Sequence, residues 1–119
     1  MKKTVVIGAS PNETRYSYKA VKKLNKYGHE VIPLGIRKGK IENFEIITEK
    51  PALSNVHTVT MYVGTQNQEN WIDYIYSLKP ERIIFNPGTE NPDFINEAKL
   101  KGIEVLTTCT LILLDSGGF

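Results

Sequence analysis

The chain has 119 residues, 40% of them hydrophobic and 24% charged, with a formal net charge of +2. That is chain enough for one domain with its own core, but little for an enzyme with separate substrate and cofactor domains. No apolar run approaches membrane length, and a single cysteine, Cys109, excludes an internal disulfide. The start, Met1 to Gly8, turns into Gly, Ser and Pro too soon for a signal peptide, so a soluble protein of the reducing cytoplasm is expected. The small net charge hides an asymmetry. Residues 1–40 hold ten Lys or Arg against two acidic residues (+8), and residues 41–119 hold five against eleven (−6). A basic half on a near-neutral chain points to an anionic partner, either a polyphosphate cofactor or nucleic acid.

The first element is a β-branched strand, Thr4–Ile7, which breaks at Gly8, a residue free to take a positive φ. Ala9 and Ser10 are small, Pro11 and Asn12 make a turn, and a helix is predicted from about Arg15 to Tyr27. Tyr16, Ala20, Val21, Leu24 and Tyr27 keep helical spacing, and Gly28 stops the helix. Strand, small-residue turn and helix N-terminus form the opening of a nucleotide-binding βαβ unit. Free N–H groups in the turn and the positive helix end would face one anion there. After Gly8 no glycine follows until Gly28, so the G-x-G-x-x-G fingerprint is absent. Arg15, Tyr16 and Ser17 offer instead a guanidinium and two hydroxyls for phosphate oxygens. The plainer alternative is that Gly8 only turns the chain and Ser17 only caps a helix.

A second strand, Glu30–Leu34, contains Pro33, which fits a sheet edge or strand end because it donates no ladder hydrogen bond. A basic loop follows, from Gly35 to Lys40. NAD-binding units carry a carboxylate at this strand end; here Arg37, Lys38 and Lys40 stand instead, which favours a phosphorylated ribose, as in NADP or coenzyme A. A short strand is predicted at Phe44–Ile47 and another at Thr58–Val63, ending in Gly64. Thr65 to Gln68 fits a capping box for a helix lined by Trp71, Ile72, Ile75 and Leu78 and closed by Pro80. Arg82–Phe85 is a strand, Asn86 to Thr89 a turn, Pro92–Lys101 a helix, Glu104–Thr107 a strand and Thr108–Leu114 a final helix before a loose tail.

Short apolar strands alternating with helices predict a single α/β domain over residues 1–119. It is a Rossmann-like, doubly wound parallel sheet with three α/β/α layers. Gly8, Gly35, Gly64 and Gly88 all fall in exit turns at strand carboxyl ends, where ligands of such sheets bind. His29 and His57 precede strands, on the opposite side, and read as structural. Cys109 could face the ligand side, where a helix N-terminus would favour its thiolate; as a small packing residue it needs no chemistry. No catalytic residue and no metal ligand set is assigned.

The stretches Gly8–Ser10 (GAS), Arg15–Ser17 (RYS), Val31–Pro33 (VIP), Phe85–Asn91 (FNPGTEN), Gly102–Val105 (GIEV) and Cys109–Thr110 together resemble the small bacterial CoA-binding proteins. These are relatives of the CoA-binding domain of succinyl-CoA synthetase α-subunits. The resemblance implies a coenzyme A or acyl-CoA ligand. It places the pyrophosphate at Gly8, Ala9, Ser10, Arg15 and Ser17, beside the Tyr16 hydroxyl already read as a phosphate donor. The adenosine part falls at Pro33 and Arg37, on either side of the exit-turn Gly35, and the pantetheine arm at Val63, Gly64, Pro87 and Gly88. The synthetases' phosphorylated histidine lies in a further domain without a counterpart here, so a binding module rather than an enzyme is expected. Two other classes stand beside it. An NADP-dependent reductase would need a Tyr–Lys pair beside the nicotinamide, for which Tyr18–Lys19 is badly placed on the first helix. A nucleic-acid binder would need a base-reading motif, which is not recognisable; the resemblance favours neither a nucleic-acid nor a membrane partner.

Overall fold

The computed structural model describes residues 1–119. Period-2 alternation along the strands sorts the core into two halves. Val5, Ile7, Val59, Met61, Ile83 and Phe85 face one side, where they meet Trp71, Ile75, Leu78, Phe94 and Ala98. Val6 and Ile84 face the other and meet Tyr18, Val21, Leu24 and Leu114. Each fully buried aliphatic or aromatic side chain contributes about 1.5–3 kcal/mol, which is why the strands are fixed in register by these two faces.

The strands are β1 (Thr4–Ile7), β2 (Val31–Leu34), β3 (Lys40–Ile41), β4 (Phe44–Glu45), β5 (Thr58–Met61), β6 (Arg82–Phe85) and β7 (Glu104–Thr107). The helices are α1 (Tyr16–Lys26), α2 (Glu69–Ser77), α3 (Pro92–Leu100) and α4 (Thr110–Ser116). Five strands form one sheet in the order β2-β1-β5-β6-β7, with every pairing parallel. Helices α1 and α4 pack on one face, and α2 and α3 on the other. This is the expected doubly wound, Rossmann-like fold, with its switch point between β1 and β5, where the chain order reverses. No helix is long and apolar enough to cross a membrane.

Pro33 lies on the edge strand β2, paired through β1 only on its inner side. Its carbonyl accepts the Ile47 N–H at 2.9 Å, and Ile47 forms an isolated parallel bridge to Leu34. The expected strand at Phe44–Ile47 is therefore two things. Phe44–Glu45 pairs with Lys40–Ile41 in a small antiparallel hairpin, and Ile47 covers the sheet edge. The end of the basic loop is part of that hairpin because Ile41 is fully buried.

Two expectations are corrected. Thr65 does not cap a helix: its hydroxyl donates to the Glu90 carbonyl at 2.6 Å, and residues Thr65–Asn67 form a 3₁₀ turn ahead of α2. The tail is not loose either. Phe119 is 8% exposed, its ring stacks under the Arg82 guanidinium at 4.3 Å and beside His29 at 4.8 Å, and Lys2 Nζ donates to its carbonyl at 2.7 Å. A single aromatic after two glycines leaves no periodic signal, so only tertiary packing places it.

Both histidines sit at the amino-terminal edge of the sheet. His29 Nδ1 accepts the Lys2 N–H at 3.0 Å, and His57 Nδ1 lies 2.7 Å from the Thr58 hydroxyl. Burial lowers both pKa values below 6.5; at His29 the N-terminal amine, Lys2 and Arg82 add to it, and at His57 the Glu81 carboxylate opposes it. The unfolded chain then takes up more protons than the folded one once pH falls below 6.5, so stability is complete above that value and declines beneath it. Urea unfolding should show a loss between about pH 7 and about pH 5, and the double variant His29→Gln/His57→Gln should flatten that slope. An unchanged slope would assign the acid sensitivity to carboxylates instead.

Candidate functional site

Three exit turns meet at the switch point because their backbones come into contact. The Leu34 carbonyl at the end of β2 accepts both the Gly8 and the Ala9 N–H at 2.9 Å, and the Tyr62 N–H beyond β5 donates to Ile7 at 2.8 Å. Gly8 has φ +97°, and a Cβ there would stand 2.9 Å from the backbone of Tyr62. A Cβ on Gly35 would stand 2.3 Å from the Ala9 carbonyl oxygen. These two glycines are thus required first by the contact of one turn with another. The N–H groups of Gly8 and Ala9 are not free for a ligand.

The free donors lie one step further on. Asn12 orders the turn: its carbonyl accepts from Arg15 N–H (3.0 Å), its side-chain oxygen from Thr14 N–H (3.0 Å), and its own N–H donates to Ser10 Oγ (3.1 Å). Arg15 is the N-cap of α1 in extended conformation, and no side chain caps the helix. The N–H groups of Ser10, Tyr16 and Ser17 consequently have no acceptor in the protein. Ser17 is 4% exposed, and its hydroxyl has no protein partner either. Orphan donors at a helix start, with about half a positive charge behind them, form a ready anion site.

These groups open into a cleft of about 920 Å³ at the carboxyl edge of the sheet, within the size range of cofactor sites. Gly8, Ala9, Ser10, Arg15, Tyr16, Ser17, Gly35, Arg37, Val63 and Gly64 line it, while Pro33, Pro87 and Gly88 do not. Pro33 is buried in the edge strand. Pro87 and Gly88 stand exposed in the β6 exit turn, one strand beyond the β5 wall. Arg15 and Arg37 are exposed, and neither has an ion pair. By contrast Lys3, Lys22 and Lys23 are paired with Glu30, Glu42 and Asp115, so part of the basic excess is balanced within the fold. Tyr18 is packed in the core and Lys19 lies over the Tyr16 ring, so they do not form a proton-donating pair in the cleft.

The far wall was not legible as a site. Gln66, Asn67, Glu69, Asn70 and Trp71 line the cleft from the β5 exit and the start of α2. The fully buried Gln68 holds this wall: its amide donates to the carbonyls of Val63 (2.9 Å) and Thr89 (2.7 Å) and accepts from Asn91 (3.1 Å). Trp71 is recognisable from its helical spacing, yet that spacing marks a buried face and does not reveal that the same face ends at a cleft. Tyr62 lines the floor with its hydroxyl buried and unpartnered, and burial pushes its pKa well up, which keeps the phenol neutral. No three His, Cys, Asp or Glu side chains gather as a metal site.

A family model described as a CoA binding domain matches residues 2–115. A crystal structure of a protein described as uncharacterized shares 47% identity and a TM-score of 0.98, covering 100% of this chain and 98% of that one. A hypothetical protein from Pyrococcus horikoshii shares 18% identity and a TM-score of 0.82 (97% and 82% covered). A protein from Thermus thermophilus shares 19% and 0.83 (99% and 91%). At that identity the last two show the fold alone. No curated protein matches the sequence.

The contact between turns makes a stability prediction. Gly88 also has positive φ (+91°), but nothing lies within 4 Å of a Cβ there. Gly88→Ala should cost about 1–2 kcal/mol for the left-handed backbone alone. Gly8→Ala should cost about 1–3 kcal/mol more, for the added clash. Denaturant unfolding of the two variants compares them directly, and equal losses would show that the β1–β5 contact yields freely.

Proposed function

The chain belongs to the CoA binding domain family, and from that premise we propose that the cleft binds coenzyme A or an acyl-CoA, as a binding module without catalysis of its own. The observation that carries the reading is the set of orphan N–H donors of Ser10, Tyr16 and Ser17 beside two cations with no carboxylate partner, Arg15 and Arg37. The pyrophosphate takes the α1 N-terminus, with the Ser17 hydroxyl and Arg15 as further donors. The ribose phosphate takes Arg37 at the β2 exit. Gly35 serves that end indirectly, by letting the β2 exit close on Ala9. The pantetheine arm follows the β5 exit past Val63 and Gly64, in the direction of Pro87 and Gly88. A nucleotide with a carboxylate-binding requirement at the β2 exit, such as NAD, is disfavoured by Arg37 at that position.

Coenzyme A should raise the melting temperature, since a ligand of the native state stabilises it by mass action. The assignment within the ligand is tested by calorimetry with coenzyme A and dephospho-coenzyme A. Arg37→Ala should weaken coenzyme A about tenfold and leave dephospho-coenzyme A nearly unchanged, whereas Arg15→Ala should weaken both alike. Equal losses of both ligands in Arg37→Ala would move that cation to the pyrophosphate. A larger thermal shift with NADP or with short DNA than with coenzyme A would replace the reading altogether.

A further inference from the structure

Gln68 is fully buried, and both its N–H donors and its oxygen are used. Nε2 donates to the carbonyls of Val63 (2.9 Å) and Thr89 (2.7 Å), and Oε1 accepts from Asn91 (3.1 Å). Val63 lines the cleft in the β5 exit, and Thr89 follows Gly88 in the β6 exit. A second tie runs beside the first, since the Thr65 hydroxyl donates to the Glu90 carbonyl at 2.6 Å. Asn91 carries the link on to α3, which it caps by accepting the Phe94 N–H at 3.3 Å. No backbone hydrogen bond joins these two exits. The exits of β1, β2 and β5 are joined the other way, by backbone bonds to the carbonyls of Leu34 and Ile7. The anion-binding end of the cleft is thus fixed by main chain. Beyond the ladder of β5 and β6, the spacing of their exits is fixed by side chains alone. The start of α2 has a separate hold, because Lys50 donates to the Asn70 carbonyl and lies over the Trp71 ring at 5.0 Å.

We propose that Gln68, supported by Thr65, is a positioning residue that makes the cleft prefer ligands with a pantetheine arm to the bare nucleotide. The inference rests on the coenzyme A reading, in which the arm follows the β5 exit past Val63 and Gly64 towards Pro87 and Gly88. Gln68 does not line the cleft, so it meets no ligand directly. It acts through the backbone of Val63 and Thr89, which stand at the two ends of that route. Held in place before binding, the two turns spare the arm the entropy of ordering them. Loss of the amide leaves two buried carbonyls unpaired, and the turns would part to let water reach them. The phosphates gain nothing from the tie, because the α1 N-terminus and Arg37 belong to the exits joined by main chain.

The test is calorimetric titration of coenzyme A and of 3′-phosphoadenosine 5′-diphosphate, which keeps the nucleotide and its phosphates but lacks the arm. Gln68→Met keeps the length of the side chain and removes every hydrogen bond of the amide. It should weaken coenzyme A about tenfold and change the nucleotide less than about twofold, because only the ordering of the arm's wall is lost. Thr65→Val removes the exposed tie without opening the core, and should weaken coenzyme A about two- to threefold with the nucleotide unchanged. It decides the matter alone where Gln68→Met fails to fold. A merely structural amide would weaken both ligands by the same factor, and that result overturns the proposal. Unchanged coenzyme A affinity in Gln68→Met, or in Thr65→Val when that is the folded variant, overturns it too. Wild-type protein that binds the nucleotide as tightly as coenzyme A overturns this inference and leaves the coenzyme A reading standing. Wild-type protein that binds neither refutes both.

Discussion

The Leu34 carbonyl oxygen, accepting the N–H groups of both Gly8 and Ala9, is the contact on which the site depends. It draws the exits of β1 and β2 together, and Gly35 without a Cβ lets the Ala9 carbonyl lie against it. On the other side Gly8 admits the Tyr62 backbone. Three neighbouring strands that end in register, Ile7 opposite both Leu34 and Met61, hand over to turns already locked to one another. Only then does the chain between Ser10 and Arg15 have a fixed platform from which α1 starts with its donors facing out. Preorganisation of this kind lowers the entropy cost of ligand binding.

How much of this was legible follows from what periodicity records. The alternation of strands and helices, and hence the doubly wound sheet, is written in apolar spacing, and the strand exits can be named from their glycines. The particular use of Gly8 could not be read. A glycine needed for a positive φ, for a neighbouring backbone or for a ligand looks the same in sequence, and here the first two apply. The role of Gln68 was hidden for a related reason. A polar residue after a turn suggests a helix cap, whereas Gln68 is fully buried and ties the nearby Val63 carbonyl to that of Thr89 in the β6 exit, which is distant in sequence. Thr65 gave the same false signal, since its hydroxyl reaches the same distant turn.

Charge was legible in sum and not in detail. The excess of cations in the first forty residues holds, but Lys3, Lys22 and Lys23 are engaged by carboxylates that the fold supplies, two of them, Glu42 and Asp115, from the other part of the chain. Exposed pairs of this sort contribute little to stability. Their consequence here is electrostatic selectivity, because Arg15 and Arg37 at the cleft remain without such partners.

Every strand of the main sheet runs the same way, so the molecule has two unlike poles, and the cleft occupies one of them. Residues 2 and 119 are joined by a hydrogen bond at the other, among the strand starts. Anything continuing from either end would leave from the pole facing away from the cleft. A fused partner, a tether or a surface attachment at that pole would therefore leave the approach to the cleft open, and the protein could be anchored through its ends and still take up its ligand.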